Sequence, residues 1–185
     1  MTTLVFLLEE ESARHMLEGL LPRLLPQGVH VRYIVFEGKQ DLQQQLGRRL
    51  RGWLAPDTRF VVLHDQDSSD CRALKAQLQA ICKQAGRPET LVRIACRELE
   101  SFYLGDLEAV ERAFGLRGLA RQQESRKFRA PDSLNNAAQE LRKLTGSRYQ
   151  KLRGSRDIAA HLRLDSRNRS ISFGQLLAGI QKLAA

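Results

Sequence analysis

The chain is short of the residues that staple small secreted domains: 185 residues include only 3 Cys, 5 Pro and 1 Trp. Cys71, Cys82 and Cys96 form no CxxC pair and the 4 His are scattered, so neither a disulfide framework nor a zinc cluster is expected. Cys71 and Cys82 fall on one expected helix, about 16 Å apart and beyond disulfide reach, and read as small core residues in a reducing compartment. Long apolar runs are missing too. The longest, Leu4 to Leu8, is far too short to cross a bilayer. No basic stretch followed by an apolar region and a small-residue cleavage site opens the sequence, so the expectation is a cytoplasmic protein without membrane attachment. A hydrophobic share of 42% argues against wholesale disorder and fits one domain, with at most a small appendage.

The net charge of +9 is unevenly placed. Residues 117–169 hold 14 Lys/Arg against 5 Asp/Glu, while the rest of the chain holds 16 of each sign. Arginine forks match phosphate geometry, and a basic stripe concentrates polyanions, so nucleic acid (DNA or RNA) is the expected partner. Arg126, Lys127, Arg129, Arg148, Lys151, Arg153 and Arg156 are the candidate contacts. The competing reading is a solvated surface whose charges scatter on folding.

The apolar runs Leu4–Leu8, Val29–Phe36, Phe60–Leu63 and Leu91–Cys96 read as strands, the first buried on both faces and the third also buried. Between them lie helical stripes. Ser12 reads as the N-cap of the first, which Pro22 and Pro26 interrupt; the second spans Asp41–Leu54, and Asp70 caps a third running to about Ala85. Three strand–helix alternations before residue 97 specify an α/β fold: a mostly parallel four-stranded sheet flanked by helices. Beyond it, helices are expected at Ser101–Phe114, Ser133–Leu144, Ile158–Leu162 and Phe173–Leu183, with basic connectors and loops between. Residues 1–116 form the expected α/β core. Residues 117–185 form a basic, mainly helical extension packed on it.

Ligands of such sheets bind beyond the carboxyl ends of the strands. Here the first strand ends in Glu9-Glu10-Glu11, the third in His64-Asp65-Gln66-Asp67, and the fourth in Arg97-Glu98-Leu99-Glu100. In extended chain, Asp65 and Asp67 would face the same way and reach one divalent cation, about 6–7 Å apart at Cα. Crowded carboxylates repel and raise each other's pKa, which a cation relieves. Mg²⁺ (or Mn²⁺) suits the set, because it takes one or two carboxylates together with phosphate oxygens. Asp70 is better explained as a helix cap, and Glu10 and Glu11 as charges favouring a helix N-terminus. Glu9 has the next claim, as a metal contact or as a general acid–base, and of Glu98 and Glu100 the latter is preferred as the inward-facing group. The loop is not an EF-hand, since Asp70 stands where Gly is required and Ala76 where Glu is required.

A Glu closing the first strand and a later strand ending in Asp-x-Asp resemble the motif pair of the Toprim fold. More narrowly, Phe6-Leu7-Leu8-Glu9-Glu10-Glu11-Ser12, Phe36-Glu37-Gly38-Lys39-Gln40-Asp41-Leu42, Asp65-Gln66-Asp67-Ser68-Ser69-Asp70-Cys71, Cys96-Arg97-Glu98-Leu99-Glu100-Ser101-Phe102 and Tyr149-Gln150-Lys151 resemble the Toprim-like domain-of-unknown-function family 4276. The likeness covers nearly the whole chain. It implies a Toprim-like sheet in which Glu9, Asp65 and Asp67 are the acidic triad that binds Mg²⁺ for phosphodiester chemistry. Glu98 and Glu100 would be the acidic pair of a later motif. Many Toprim sequences place Gly after the first Glu; here Glu10 stands there.

Two functions follow. One is a Mg²⁺-dependent nuclease-like protein, with antiviral defence as one setting, in which Glu9, Asp65, Asp67 and Glu100 hold metal. Lys151 would stabilise phosphate charge in the transition state. The other is a non-catalytic partner of a separate ATPase, since no P-loop GxxxxGK[ST] occurs in the sequence. A haloacid-dehalogenase-type phosphatase is excluded: its Asp-x-Asp follows the first strand and precedes Thr or Val, whereas this pair follows the third and precedes Ser68.

Overall fold

The computed structural model describes residues 2–185. Four strands, β1 (Thr3–Leu8), β2 (His30–Val35), β3 (Thr58–Asp65) and β4 (Leu91–Ala95), form one all-parallel sheet in the order β2-β1-β3-β4. Strand side chains alternate between faces, and in β1 both sets are apolar and fully buried. Leu4, Phe6 and Leu8 point to one face, where α1 (Glu11–Leu24) supplies Met16, Leu17 and Leu20. Val5 and Leu7 point to the other, where α2 (Lys39–Arg51) and α3 (Cys71–Gln84) supply Leu42, Leu46, Leu50, Leu74 and Leu78. The chain steps from β1 out to β2, then back past β1 to β3 and β4. Its helices change face at that reversal, as right-handed crossovers require.

The remaining helices are α4 (Ser101–Leu104), α5 (Leu107–Phe114), α6 (Ala137–Leu144), α7 (Lys151–Ala159) and α8 (Ile171–Ala184). Phe102, Val110, Leu141, Ile158, Phe173 and Leu176 join the α1 side of the core, so residues on both sides of position 116 share it. α8 lies along β4, where the Arg93 side chain donates to Gln175 O at 3.0 Å. Among the described residues no helix is long and apolar enough to cross a membrane.

Several local expectations need correction. Pro22 lies inside α1 rather than interrupting it, because only Arg23 and Leu24 follow and a single helical bond is lost. Arg23 then ties that last turn to Leu162 O at 3.0 Å and to Ala159 O. Ser12 is not the cap but the second residue of α1, with its hydroxyl on the Glu10 carboxylate at 2.6 Å. The helix expected over Ser101–Phe114 divides at Gly105–Asp106, since buried Asp106 caps α5 through Ala109 N and also receives three N–H groups of Arg163. The helix expected from Ser133 begins at Ala137, and the one expected at Ile158 begins at Lys151. Gly154 is helical, and a Cβ on it would lie 2.5 Å from Tyr149 Cδ2, so glycine is what lets the tyrosine ring lie against α7. Cys82 is buried in the core, whereas Cys71 and Cys96 are half-buried, and all three are free thiols.

Gly19 plays the matching role between α1 and α7. A Cβ there would sit 2.6 Å from the carbonyl oxygen of Arg156 and 3.1 Å from Ala159 Cβ. Backbone cannot yield as a flexible side chain does, so Gly19→Ala should destabilise the protein by about 1–3 kcal/mol in urea unfolding. An unchanged midpoint would show that the two helices are not in such close contact.

Candidate functional site

In the order β2-β1-β3-β4, the direction of chain travel reverses between β1 and β3. That switch point opens a crevice at the strands' carboxyl ends. Leu8 pairs with Leu63, which brings Glu9, just past β1, beside His64 and Asp65 at the end of β3. Glu9 Oε2 accepts the Asp65 main-chain N–H at 3.0 Å and lies 3.1 Å from His64 Nδ1. His64 Nδ1 is also 2.6 Å from Asp65 O. With Nδ1–H between two acceptors, the buried ring is left with Nε2 to accept from the Gln43 amide at 3.3 Å.

Asp65 and Asp67 do not share one extended face, contrary to the sequence expectation. β3 ends at Asp65, and Asp67 adopts a left-handed φ of 51°, which breaks the alternation. Asp65 turns inward, its Oδ2 accepting Leu99 N–H at 3.1 Å. Asp67 turns outward to Lys39 Nζ at 3.3 Å, although its charge is still felt at Glu9. Glu100 is buried and accepts the Tyr149 hydroxyl at 2.9 Å. Glu98 faces elsewhere: its Oε2 accepts Ala138 N–H at 2.7 Å in the first turn of α6, where a carboxylate suits the free N–H groups. Glu10 bonds Lys151 Nζ at 2.6 Å, Glu11 faces Arg14, and Asp70 caps α3 through Ala73 N at 2.8 Å.

Asp65 therefore lies close enough to Glu9 and Glu100 to feel both charges, and Lys151 feels those of Glu100 and Asp65. Burial pushes the Asp65 carboxyl well above the usual carboxylate range, and the charges of Glu9, Glu10 and Glu100 push it further. Glu9 and Glu100 are also raised, chiefly by burial. Burial alone would lower the Lys151 ammonium, but its bond to Glu10 and the charges of Glu10, Glu100 and Asp65 hold it above its ordinary value. The Tyr103 hydroxyl is buried without a hydrogen-bond partner and feels the charges of both Glu100 and Asp65.

The carboxylates here offer oxygen, the donor type that a hard divalent cation takes. Glu9, Asp65 and Asp67 each bond the protein through one oxygen, while Glu100 takes both the Tyr149 hydroxyl and its own main-chain N–H. Among the described residues no three His, Cys, Asp or Glu side chains close into a ready-made cage. An ion here would need water or phosphate oxygens to complete its shell, as Mg²⁺ characteristically does.

The basic candidates are mostly engaged. Lys127 pairs with Glu140 at 2.5 Å, Arg153 with Asp157 at 3.5 Å, Arg156 with Glu18 and Lys151 with Glu10, while Arg148 donates to Phe114 O at 3.1 Å. Arg126 and Arg129 are exposed and make no such contact. Two features escaped the sequence. His64 and Gln43 buttress Glu9, though nothing in the spacing pairs positions 43 and 64. A polar cavity of about 520 Å³ opens beside Asp67, lined also by Ser68, Arg97, Glu98 and Asn135.

Comparison with known proteins bears on this architecture. The family described as Domain of unknown function (DUF4276) matches residues 8–181. Among solved structures, the C-terminal region of the Burkholderia pseudomallei OLD protein is similar, with a TM-score of 0.54 and 18% identity over 98% of each chain. At that identity the likeness concerns the fold. No curated protein matches the chain.

The strain on Asp65 has a measurable sign. A carboxyl whose proton affinity rises on folding binds more protons folded than unfolded, so its ionisation erodes stability as pH climbs above about 4. Asn can still accept Leu99 N–H. Asp65→Asn in EDTA should therefore raise the thermal midpoint by roughly 2–4 °C, more at pH 8 than at pH 5. A lower midpoint at pH 8 would show that the buried carboxylate is not a burden.

Proposed function

This chain belongs to the DUF4276 family, and we propose that it is a metal-dependent, nuclease-like phosphodiesterase acting on nucleic acid, with Toprim-like chemistry. One observation carries the reading: at the switch point the buried Asp65 carboxyl feels the charges of Glu9, from the end of β1, and of Glu100, from the segment after β4. Mutual repulsion among buried acids is a poor arrangement for stability and a good one for capturing a divalent ion.

Glu9, Asp65 and Glu100 are the residues that would hold Mg²⁺ or Mn²⁺, and Asp67 would join them by leaving Lys39. When bound, such an ion would polarise a phosphoryl oxygen and lower the pKa of its water. The chain's own groups supply the rest. His64 fixes the Glu9 carboxylate, and the raised proton affinity of Glu9 suits it to take up or return a proton during phosphodiester cleavage. Tyr149 orients Glu100. Lys151, exposed and held only by Glu10, can swing its ammonium to a phosphate oxygen as negative charge builds there.

Purified protein should cut labelled single-stranded DNA or RNA in Mg²⁺ or Mn²⁺ and not in EDTA, and Asp65→Ala should abolish cutting. Lys151→Ala should lower kcat by about 100-fold or more. Cutting that persists in EDTA would overturn the reading. Absence of both cutting and Mn²⁺ binding by calorimetry would favour a non-catalytic subunit instead.

A further inference from the structure

The polar cavity beside Asp67 contains a cation that the fold does not use. Of its lining groups, the Asp67 carboxylate is paired with Lys39 and the Glu98 carboxylate caps α6. The other nearby cations, Lys39 and Lys151, are both paired with acids. Among the described residues the Arg97 guanidinium has neither a carboxylate nor a carbonyl partner, and the Asn135 amide has no hydrogen bond. The cavity has no aromatic lining.

The backbone at Arg97 adds a second observation. Arg97 sits at φ 64° in the middle of a three-residue turn, closed by Glu98 N–H on Cys96 O at 2.9 Å. This conformation is costly for any residue except glycine. It is locked from both sides, with Arg97 N–H on Gln66 Oε1 at 3.1 Å and Arg97 O accepting Asp67 N–H at 2.8 Å. Asp67, the partner across this bond, is itself left-handed at φ 51°. All of these are main-chain bonds of Arg97, so glycine would make them at less cost. The arginine side chain is therefore held at a strained position without serving the fold, a pattern found where a side chain serves a ligand.

We propose that Arg97, together with the Asn135 amide, is a phosphate clamp that seats the backbone of a nucleic-acid strand beside the acidic crevice without reading its bases. A guanidinium fork grips a phosphodiester through two parallel hydrogen bonds. With no aromatic wall for base stacking, contact is confined to phosphate, sugar and polar edges, so affinity is independent of sequence. A volume of about 520 Å³ lies in the range that takes one small ligand, which suits a nucleotide-sized piece of single strand. The clamp deepens the phosphodiesterase reading, borrowing from it the location of the chemistry, but its binding can be measured separately.

The test is fluorescence anisotropy of the full-length chain in Ca²⁺ with 12-nucleotide single strands of DNA and of RNA, each in two unrelated sequences. Arg97→Ala should weaken binding about tenfold for every sequence and lower the slope of log K against log salt by about one. Arg97→Lys should recover part of the affinity. Arg97→Gly should bind as poorly as Arg97→Ala while raising the thermal midpoint, a separation that a structural role for the side chain does not produce. The two oligonucleotide types identify which strand the clamp holds. Equal affinity and salt slope for wild type and Arg97→Ala would overturn the clamp, whatever the cleavage result, and so would failure of the wild type to bind either strand. Binding that depends on Arg97 in a protein that neither holds Mn²⁺ nor cuts would uphold the clamp and reject the phosphodiesterase.

Discussion

The bond from the Asp65 N–H to the Glu9 carboxylate joins the ends of the two central strands, and much of the site is arranged around it. A parallel ladder in which Leu8 faces Leu63 leaves no other place for these side chains than the crevice between β1 and β3. Placing acids there is electrostatically costly, and Asp65 bears most of that cost. Two fully buried apolar faces on β1 offset it, one under α1 and one under α2 and α3. Each carboxylate is also held by a donor: Asp65 N–H for Glu9, Leu99 N–H for Asp65, the Tyr149 hydroxyl for Glu100.

The part of this that was legible in the sequence is the part set by local periodicity. Five apolar residues in a row at Leu4–Leu8 require burial on both faces, and Asp70 followed by Leu74 and Leu78 announces a capped amphipathic helix, which α3 is. Three strand ends bearing acids implied an acidic edge, and the α/β topology brings those ends together. What the sequence hid depends on contacts between distant segments. Alternation put Asp65 and Asp67 on one face, but a left-handed residue can be placed anywhere a loop requires, and Asp67 carries no mark of it. The break at Gly105–Asp106 comes from Arg163, 57 residues away from Asp106. His64 looks like one more strand residue until Glu9 and Gln43 are seen on either side of it.

The C-terminal segment completes the site. α7 delivers Lys151 to Glu10, and Tyr149, two residues earlier in the chain, reaches Glu100 because Gly154 leaves room for its ring. Many basic residues of the stretch that suggested a basic stripe sit in surface pairs such as Arg153–Asp157 and Arg167–Asp165, although the chain's net charge of +9 remains. Surface pairs of this kind are weakly held, so they can exchange a carboxylate for a phosphate at little cost. Positive charge is thus distributed over the surface, and close to the acids it is supplied by single residues, Lys39, Arg97 and Lys151.

The way the four acids are held also bears on how such a protein can change over generations. Every one of their bonds to the protein is an accepted one, and an amide oxygen can accept in the same place, though less strongly. A single-nucleotide substitution turning Asp into Asn or Glu into Gln would leave the architecture standing while removing the negative charge. Relatives that differ from this chain at these acids alone are therefore within one mutational step, and they would look unchanged in outline.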